Sequence, residues 1–377
     1  MLGKSFFKNF SIPKKLSFWS KGGQSVLGLD IGSSSVKLVQ LRMEKERAVL
    51  ETYGELSLGP YTGLSVGQAV RLPDEKMSEM IKDLVKESGA KSNEVVLSIP
   101  LSASFVLLID VPAMSDHELN ESIPFEARRY IPVPINEVAL DWWPIPEGFS
   151  QKHHAKEGEE SDIESRSIMS VLMVAIHKEV IERYQSVVNA AGLKIKGFEI
   201  EVFSTVRSLI SQELAPILML DIGASSTKIA IVDYGIVRVA HNLEGGSQSI
   251  TTALSRSLGI DFVRAEEMKR EIGFSDRPEH KEVKSIMEPM LDHMFSETTR
   301  IMQEYQRKSR RSITRVVLMG GGSKLNGIVD YSVKKFGVET SLGDPFKKVQ
   351  YPVFLRPLLK EIGPSFAQAI GLAVREL

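Results

Sequence analysis

Two nine-residue segments carry the residue types best suited to chemistry. Leu29-Asp-Ile-Gly-Ser-Ser-Ser-Val-Lys37 and Leu220-Asp-Ile-Gly-Ala-Ser-Ser-Thr-Lys228 agree at seven of nine positions. The offset from Asp30 to Asp221 is 191 residues, about half of the 377-residue chain. In each segment a β-rich run delivers an aspartate to the end of a strand, where a carboxylate suits Mg²⁺, a cation that takes oxygen ligands and keeps several waters. Gly32 and Gly223 permit a tight turn and close backbone approach to a ligand. Consecutive amides, with the hydroxyls of Ser33, Ser34 and Ser35 in one loop and the Ala224, Ser225 and Ser226 turn in the other, can cradle phosphate oxygens. Lys37 adds a point charge against the phosphates. One such loop would read as an ordinary hairpin turn. Two near-identical copies at a spacing too long for a solenoid point to a duplicated domain with both loops facing one cleft.

The elements that must hold these loops follow from pattern. Residues 26–31 and 36–41 read as strands around the first loop, and 217–222 and 227–232 repeat them around the second. Strands are expected at 95–99, 105–111, 137–143, 171–176 and 315–319. Helices are expected at 77–88, 115–130, 177–191, 202–213, 247–258, 262–271, 282–308, 325–336 and 366–374. Ser115 and Glu118 form a capping-box signature. Pro124 should kink or end the helix it opens. Gly320-Gly-Gly-Ser323 reads as a loop after a strand, and Leu325 occupies the third glycine position that a dinucleotide fingerprint requires. Residues 147–167 are mostly polar or charged and read as a surface loop.

Composition narrows the class. Net charge is −1, so no global field favours nucleic acid. The chain has no cysteine, which removes disulfides and thiolate chemistry and fits a reducing compartment. No apolar run approaches the roughly 18 residues that suggest a membrane span. Residues 1–24 hold Lys4, Lys8, Lys14, Lys15 and Lys21, interleaved with Phe6, Phe7, Phe10, Leu16, Phe18 and Trp19, and no acid. Such a tail suits an anionic membrane surface.

The order of three motifs, at Asp30, at Asp221 and at Met319-Gly-Gly-Gly-Ser323, resembles the phosphate-1, phosphate-2 and adenosine motifs of the actin/sugar-kinase/heat-shock-ATPase superfamily. Ala265-Glu-Glu-Met-Lys269 resembles the ribose- and adenine-contacting segment of bacterial actin-like proteins. Pro364-Ser-Phe-Ala-Gln-Ala-Ile-Gly-Leu-Ala373 resembles the second connecting helix. Glu201-Val-Phe-Ser204 lies where the first connecting helix carries a glutamate near the attacking water. Within the superfamily, Ile99-Pro-Leu-Ser-Ala-Ser-Phe105 through Pro112-Ala-Met-Ser-Asp-His-Glu118 to Glu126-Ala-Arg-Arg-Tyr-Ile-Pro-Val-Pro-Ile-Asn-Glu-Val138 resembles the PilM family of type IV pilus assembly proteins, relatives of the cell-division protein FtsA.

The resemblance implies an α/β fold with duplicated ribonuclease-H-type, actin-like domains flanking a nucleotide cleft and an α/β subdomain inserted in the first half. The expected boundaries are a tail at 1–24, the first domain at 25–94 and 171–215, the insert at 95–170, and the second domain at 216–377 with a nucleotide-capping helical part at 260–312. It implies ATP and Mg²⁺, with Asp30 and Asp221 near the metal, Glu201 as the catalytic group, and Glu267, Lys269, Gly320, Gly321, Gly322 and Ser323 toward the nucleoside. It implies at most a slow ATPase acting as a cytoplasmic scaffold at the inner face of the cytoplasmic membrane. Its partner would be the cytoplasmic N-terminal peptide of a PilN-like inner-membrane protein, with self-association and the membrane surface as further partners. Arg128, Arg129 and Tyr130 are the expected peptide contacts, because Pro132 and Pro134 force extended chain beside two cations and a ring. An FtsA-like filament protein and a sugar-kinase-type phosphotransferase are the alternatives. The first would add an amphipathic helix after the second connecting helix, and none is read before Leu377. The second would need a phosphoacceptor site with an evident base.

Overall fold

The computed structural model describes residues 25–146, 168–211, 213–275 and 277–377. The basic tail at 1–24 and the polar segment 147–167 lie outside the described residues. The chain divides into two units. One comprises the residues up to Leu101 and from Arg183 onward, and the other is Ser102–Glu182.

The larger unit holds two five-stranded sheets of the same design. In the first, β1 (Ser25–Ile31), β2 (Ser35–Glu44) and β3 (Arg47–Ser57) run antiparallel in turn, while β4 (Glu94–Ile99) and β8 (Lys194–Ile200) add parallel strands, giving the order β3-β2-β1-β4-β8. In the second, β9 (Ile217–Ile222), β10 (Ser226–Asp233), β11 (Ile236–Glu244), β12 (Arg315–Met319) and β13 (Glu339–Leu342) give β11-β10-β9-β12-β13 with the same directions. Asp30 stands opposite Lys37 in one register and Asp221 opposite Lys228 in the other. The repeat seen in nine residues therefore extends through whole sheets.

Helices α1 (Asp74–Ser88) and α3 (Lys178–Ala190) follow, with Met77, Met80, Ile81 and Leu84 of α1 and Val187 and Val188 of α3 packed on Leu27, Leu29 and Leu97. On the second sheet the corresponding core joins α5 (Ser247–Leu258), α6 (Phe262–Ile272), α7 (Lys281–Ser309) and α8 (Ile328–Phe336) to Leu218, Leu220 and Ile229. Helix α4 (Glu201–Leu209) closes the first half and α9 (Arg356–Val374) the second. The two cross so closely that a Cβ on Gly371 would lie 1.8 Å from the Ser204 carbonyl oxygen. On its other side α9 meets β1, where a Cβ on Gly28 would lie 2.0 Å from the Ala369 carbonyl oxygen.

The smaller unit is a three-stranded sheet in the order β5-β7-β6, from β5 (Ser104–Pro112), β6 (Val138–Pro144) and β7 (Ile168–His177). Its core packs Leu119, Ile123 and Ala127 of α2 (Asp116–Ala127) against Ile109, Val171 and Met173. The capping box at Ser115 and Glu118 is formed. Among the described residues no helix is long and apolar enough to cross a membrane.

Four features differ from the sequence reading. The insert runs from Ser102 to Glu182 rather than 95–170, because β4 pairs with β1 and β8 while β7 pairs with β5 and β6. Helix α2 continues through Pro124 and ends at Ala127, three residues short of Tyr130. Pro124 supplies no amide to the Asn120 carbonyl, and one further turn is all that follows. Helix α9 starts at Arg356 instead of 366, carrying Pro364 within it. The third strands β3 and β11 were not anticipated, since both are half-exposed and alternate weakly.

Candidate functional site

Both hairpin loops close by the same hydrogen bonds. The Gly32 amide donates to the Ser35 carbonyl at 3.0 Å, and the Gly223 amide to the Ser226 carbonyl at 3.0 Å. The Leu58 amide donates to the Ser34 carbonyl at 2.9 Å, and its counterpart on Gly245 to the Ser225 carbonyl at 3.1 Å. The loops and the Gly320 segment open on one cavity of about 500 Å³. Asp30, Gly32, Ser33, Ser34, Ser35, Lys37, Asp221, Gly223, Ala224, Lys269, Gly320, Gly321 and Gly322 line it. Ser225 and Ser226 serve the turn through their carbonyls and do not line it. Ser323 is buried and donates from Oγ to the Gly320 carbonyl at 2.8 Å.

Glycine is required where the third segment passes Asp221. Gly320 has φ of +80°, and a Cβ there would lie 2.2 Å from Asp221 Oδ1. A Cβ on Gly321 would meet no protein atom within 4 Å, so the chain leaves open space at that wall.

The carboxylates at the strand ends sit in different electrostatic settings. Asp30 is buried and accepts from Ser98 Oγ at 2.9 Å. Burial pushes its carboxyl up to about 6; the charges of Lys37 and Lys228 only partly offset this, and the nearby Glu201 charge adds to it. Lys37 donates to Ser35 Oγ at 2.6 Å and pairs with Glu55 at 3.1 Å. Asp221 accepts from Gln368 Nε2 at 2.8 Å and lies 3.6 Å from Lys228 Nζ. Glu201, in the first turn of α4, is buried and is not among the lining residues. It accepts from the Leu101 amide at 2.8 Å and from Gln368 Nε2 at 3.1 Å, and pairs with Lys228 Nζ at 3.2 Å. Burial alone would pull the Lys228 ammonium down, but Glu201, Asp221 and Asp30 outweigh it and hold the ammonium above its usual range.

Helix α6 brings a second charged cluster to the cavity. Lys269 Nζ donates to Thr251 Oγ1 at 2.9 Å, to the Ser247 carbonyl at 3.2 Å and to Glu266 Oε2 at 2.6 Å. Burial would raise the Glu266 carboxyl, yet Lys269 with donors from Thr251 and Arg270 holds it below the usual range. Lys269 itself is lowered by burial, which exceeds the pull of Glu266. Glu267 does not line the cavity; it is exposed and pairs with Arg264 at 3.2 Å. At about 100° per helical residue, Glu266 takes the inward face and Glu267 the outward one. Lys228, the lysine of the second loop, lines the cavity as Lys37 does, and Glu266 and Gln368 join it without having been singled out as site residues. Residues 65–69 reach across to the second half, where the Ala69 amide donates to Gln248 Oε1.

Among the described residues no group of three His, Cys, Asp or Glu side chains forms a metal cage. Mg²⁺ is usually held by one or two carboxylates with waters and substrate phosphates, so the Asp30 and Asp221 pair fits that mode. Glycine turns, open wall space at Gly321 and cationic Lys37, Lys228 and Lys269 fit a phosphorylated ligand.

In the smaller unit, Phe125 on α2 and Tyr130 in the turn after it are 64% and 44% exposed. The Arg128 guanidinium lies 5.1 Å from the Phe125 ring centroid and that of Arg129 lies 5.9 Å from Tyr130. Arg129 also pairs with Glu126 at 2.9 Å. Ile131 is buried in the core.

The family described as type IV pilus assembly protein PilM matches residues 28–377. The chain belongs to that family. A solved PilM-PilN type IV pilus biogenesis complex is similar at 28% identity and TM-score 0.76, covering 93% of this chain and 98% of that one. Cell division protein FtsA of Pseudomonas aeruginosa is 20% identical over 360 residues, covering 86% of this chain and 84% of the relative. MreB5 of Spiroplasma citri, solved with AMPPNP bound, shares the fold at 11% identity and TM-score 0.54, covering 94% and 97%. The PilM family member described here thus has an actin-like α/β fold and is a type IV pilus assembly protein.

Proposed function

We propose that this PilM-family chain binds Mg·ATP in the cavity between its duplicated loops and serves as a cytoplasmic, nucleotide-dependent scaffold of the pilus machine. The observation that carries the reading is the pair of register-matched aspartates, Asp30 and Asp221, each ahead of an identically closed glycine turn on one cavity wall. Two amide cradles of this kind suit a polyphosphate, and the carboxylates suit its metal. A related actin-like fold holds AMPPNP in MreB5. When bound, the metal would neutralise phosphate charge, while the loops orient the phosphates. Asp30→Ala and Asp221→Ala are each expected to weaken Mg·ATP binding at least about tenfold, roughly 1.4 kcal/mol. Calorimetry on the folded variants checks this, and undiminished affinity in both removes the assignment.

The partner in this reading is the cytoplasmic N-terminal peptide of a PilN-like inner-membrane protein; the similar PilM-PilN complex supports a PilN-like partner. The exposed rings of Phe125 and Tyr130 flanked by Arg128 and Arg129 offer apolar anchors beside positive charge. The doubly reversed Arg128→Glu/Arg129→Glu chain is expected to lose peptide affinity by about tenfold or more. Titration with a synthetic peptide measures it. No binding by the parent removes the partner, and full binding by the variant moves the contact off this surface.

A further inference from the structure

The two halves share sheet order and register, so Lys37 and Lys228 hold equivalent places. Their partners nevertheless differ. On β3 the residue opposite Lys37 is Glu55, and the two form an ion pair at 3.1 Å. On β11 the residue opposite Lys228 is Asn242, which offers no charge. Its buried Oδ1 has no hydrogen-bond partner, so Lys228 does not turn toward it. Lys228 instead points to the cleft floor and meets Glu201 at 3.2 Å and Asp221 at 3.6 Å.

That choice of partner affects Glu201. Asp30 and Asp221 each end a strand ahead of a phosphate-type loop, whereas Glu201 comes from α4 and belongs to neither loop. A carboxylate set between two phosphate cradles is placed to take a proton from water. In nucleotide hydrolysis the water oxygen attacks the terminal phosphorus and its proton passes to a base. The bond from phosphorus to the bridging oxygen breaks, and the electron pair leaves with the nucleoside diphosphate. The base must reach that water within about 2.6–3.2 Å. Here Lys228 and Gln368 line the cavity and Glu201 does not, so these donors stand between the carboxylate and the cavity.

We propose that Lys228 is a positioning residue that pins Glu201 beneath the cavity wall and keeps bound nucleotide from being turned over rapidly. The inference rests on the nucleotide reading above and gives it a direction: the site holds ATP more than it cycles it. The missing acid at position 242 is what frees the ammonium for this contact.

The test uses the full chain with four changes: Lys228→Met, Asn242→Glu, Glu201→Gln, and Lys228→Met with Glu201→Gln together. Single-turnover hydrolysis of Mg·ATP is expected to rise about tenfold or more in Lys228→Met, a small part of the ~10²–10⁴ that a positioned base contributes. Asn242→Glu keeps the ammonium but offers it the partner Lys37 has, and the rate is expected to rise in the same direction. The double variant is expected to lose the gain. Urea unfolding without nucleotide supplies an independent reading: the midpoint shifts of Lys228→Met and Glu201→Gln should be non-additive, because the second removes the buried charge the first leaves unpaired. A rate that falls or stays level in both Lys228→Met and Asn242→Glu overturns the proposal, as do additive midpoint shifts. Absence of ATP binding by the parent, read by calorimetry before any rate, instead removes the nucleotide reading on which it stands.

Discussion

Asp30→Asn is expected to make the nucleotide-free chain more stable at pH 7, by about 2–3 kcal/mol, while it weakens nucleotide binding. The carboxyl is buried, and burial raises its pKa from 3.8 to about 6, with Lys37 opposing and Glu201 reinforcing the shift. An acid whose folded pKa lies above its unfolded one binds more protons folded than unfolded between the two values. Its stabilising contribution is therefore complete below about 4 and is lost as pH rises through about 6. At pH 7 the chain keeps a buried carboxylate whose attractive partners do not make up for its lost hydration. Asparagine stands in for the protonated form, and its Oδ1 can still accept from Ser98 Oγ. The stability gain should be small near pH 4.5, grow through pH 6 and level off above it. Urea unfolding of both chains from pH 4.5 to 8 measures this. Parallel pH profiles, or a less stable Asp30→Asn chain at pH 7, would show that Asp30 stabilises the fold in its charged form. A site that lowers stability in the empty chain and improves with its ligand is the usual trade at a functional residue.

The sequence made the loops legible because their chemistry is local. An aspartate, a glycine and two serines within six residues need no distant partner to be recognised, and the 191-residue repeat distinguishes them from ordinary turns. What it hid depends on distance or on register. Whether residues 95–99 belong to the insert or to the first sheet cannot be read from an apolar run, since β4 would look the same beside β5 as it does beside β1 and β8. Adjacent Glu266 and Glu267 are equivalent in composition, and only the packing of α6 on α5, through Lys269 and Thr251, decides which one faces inward. Gln368 lay inside a quoted motif, but its two acceptors, Glu201 and Asp221, lie 167 and 147 residues away. The contrast between Glu55 and Asn242 becomes visible only once β3 and β11, neither of them expected from the sequence, are aligned by register.

Gly371→Ala separates two opposed expectations at the crossing that joins the halves. Position 371 lies inside α9, where alanine would favour the helix by about 1 kcal/mol if nothing else intervened. Packing predicts the reverse. A Cβ there would sit 1.8 Å from the Ser204 carbonyl oxygen, 2.5 Å from its carbon and 3.0 Å from its Cα. All three are backbone atoms, so no rotamer change relieves the clash, and α4 or α9 must move. Neither helix is free to do so. On one side α9 is stopped by β1, where Gly28 already admits the Ala369 carbonyl as closely as a glycine can. On the other, Arg207 Nη1 donates to the Gly371 carbonyl at 3.1 Å while the same guanidinium binds both oxygens of Glu199. Separating the helices would also disturb Gln368, one turn earlier on α9, which ties Glu201 to Asp221 beside the cavity. The expected outcome is a loss of at least about 3 kcal/mol, the scale of severe overpacking, together with weakened nucleotide binding. Gly321→Ala is the matched control. With no protein atom within 4 Å of its Cβ, it should change stability by no more than about 0.5 kcal/mol. Thermal and urea unfolding of the two alanine chains decide the matter: a Gly371→Ala protein as stable as its parent would mean that the halves do not depend on this crossing.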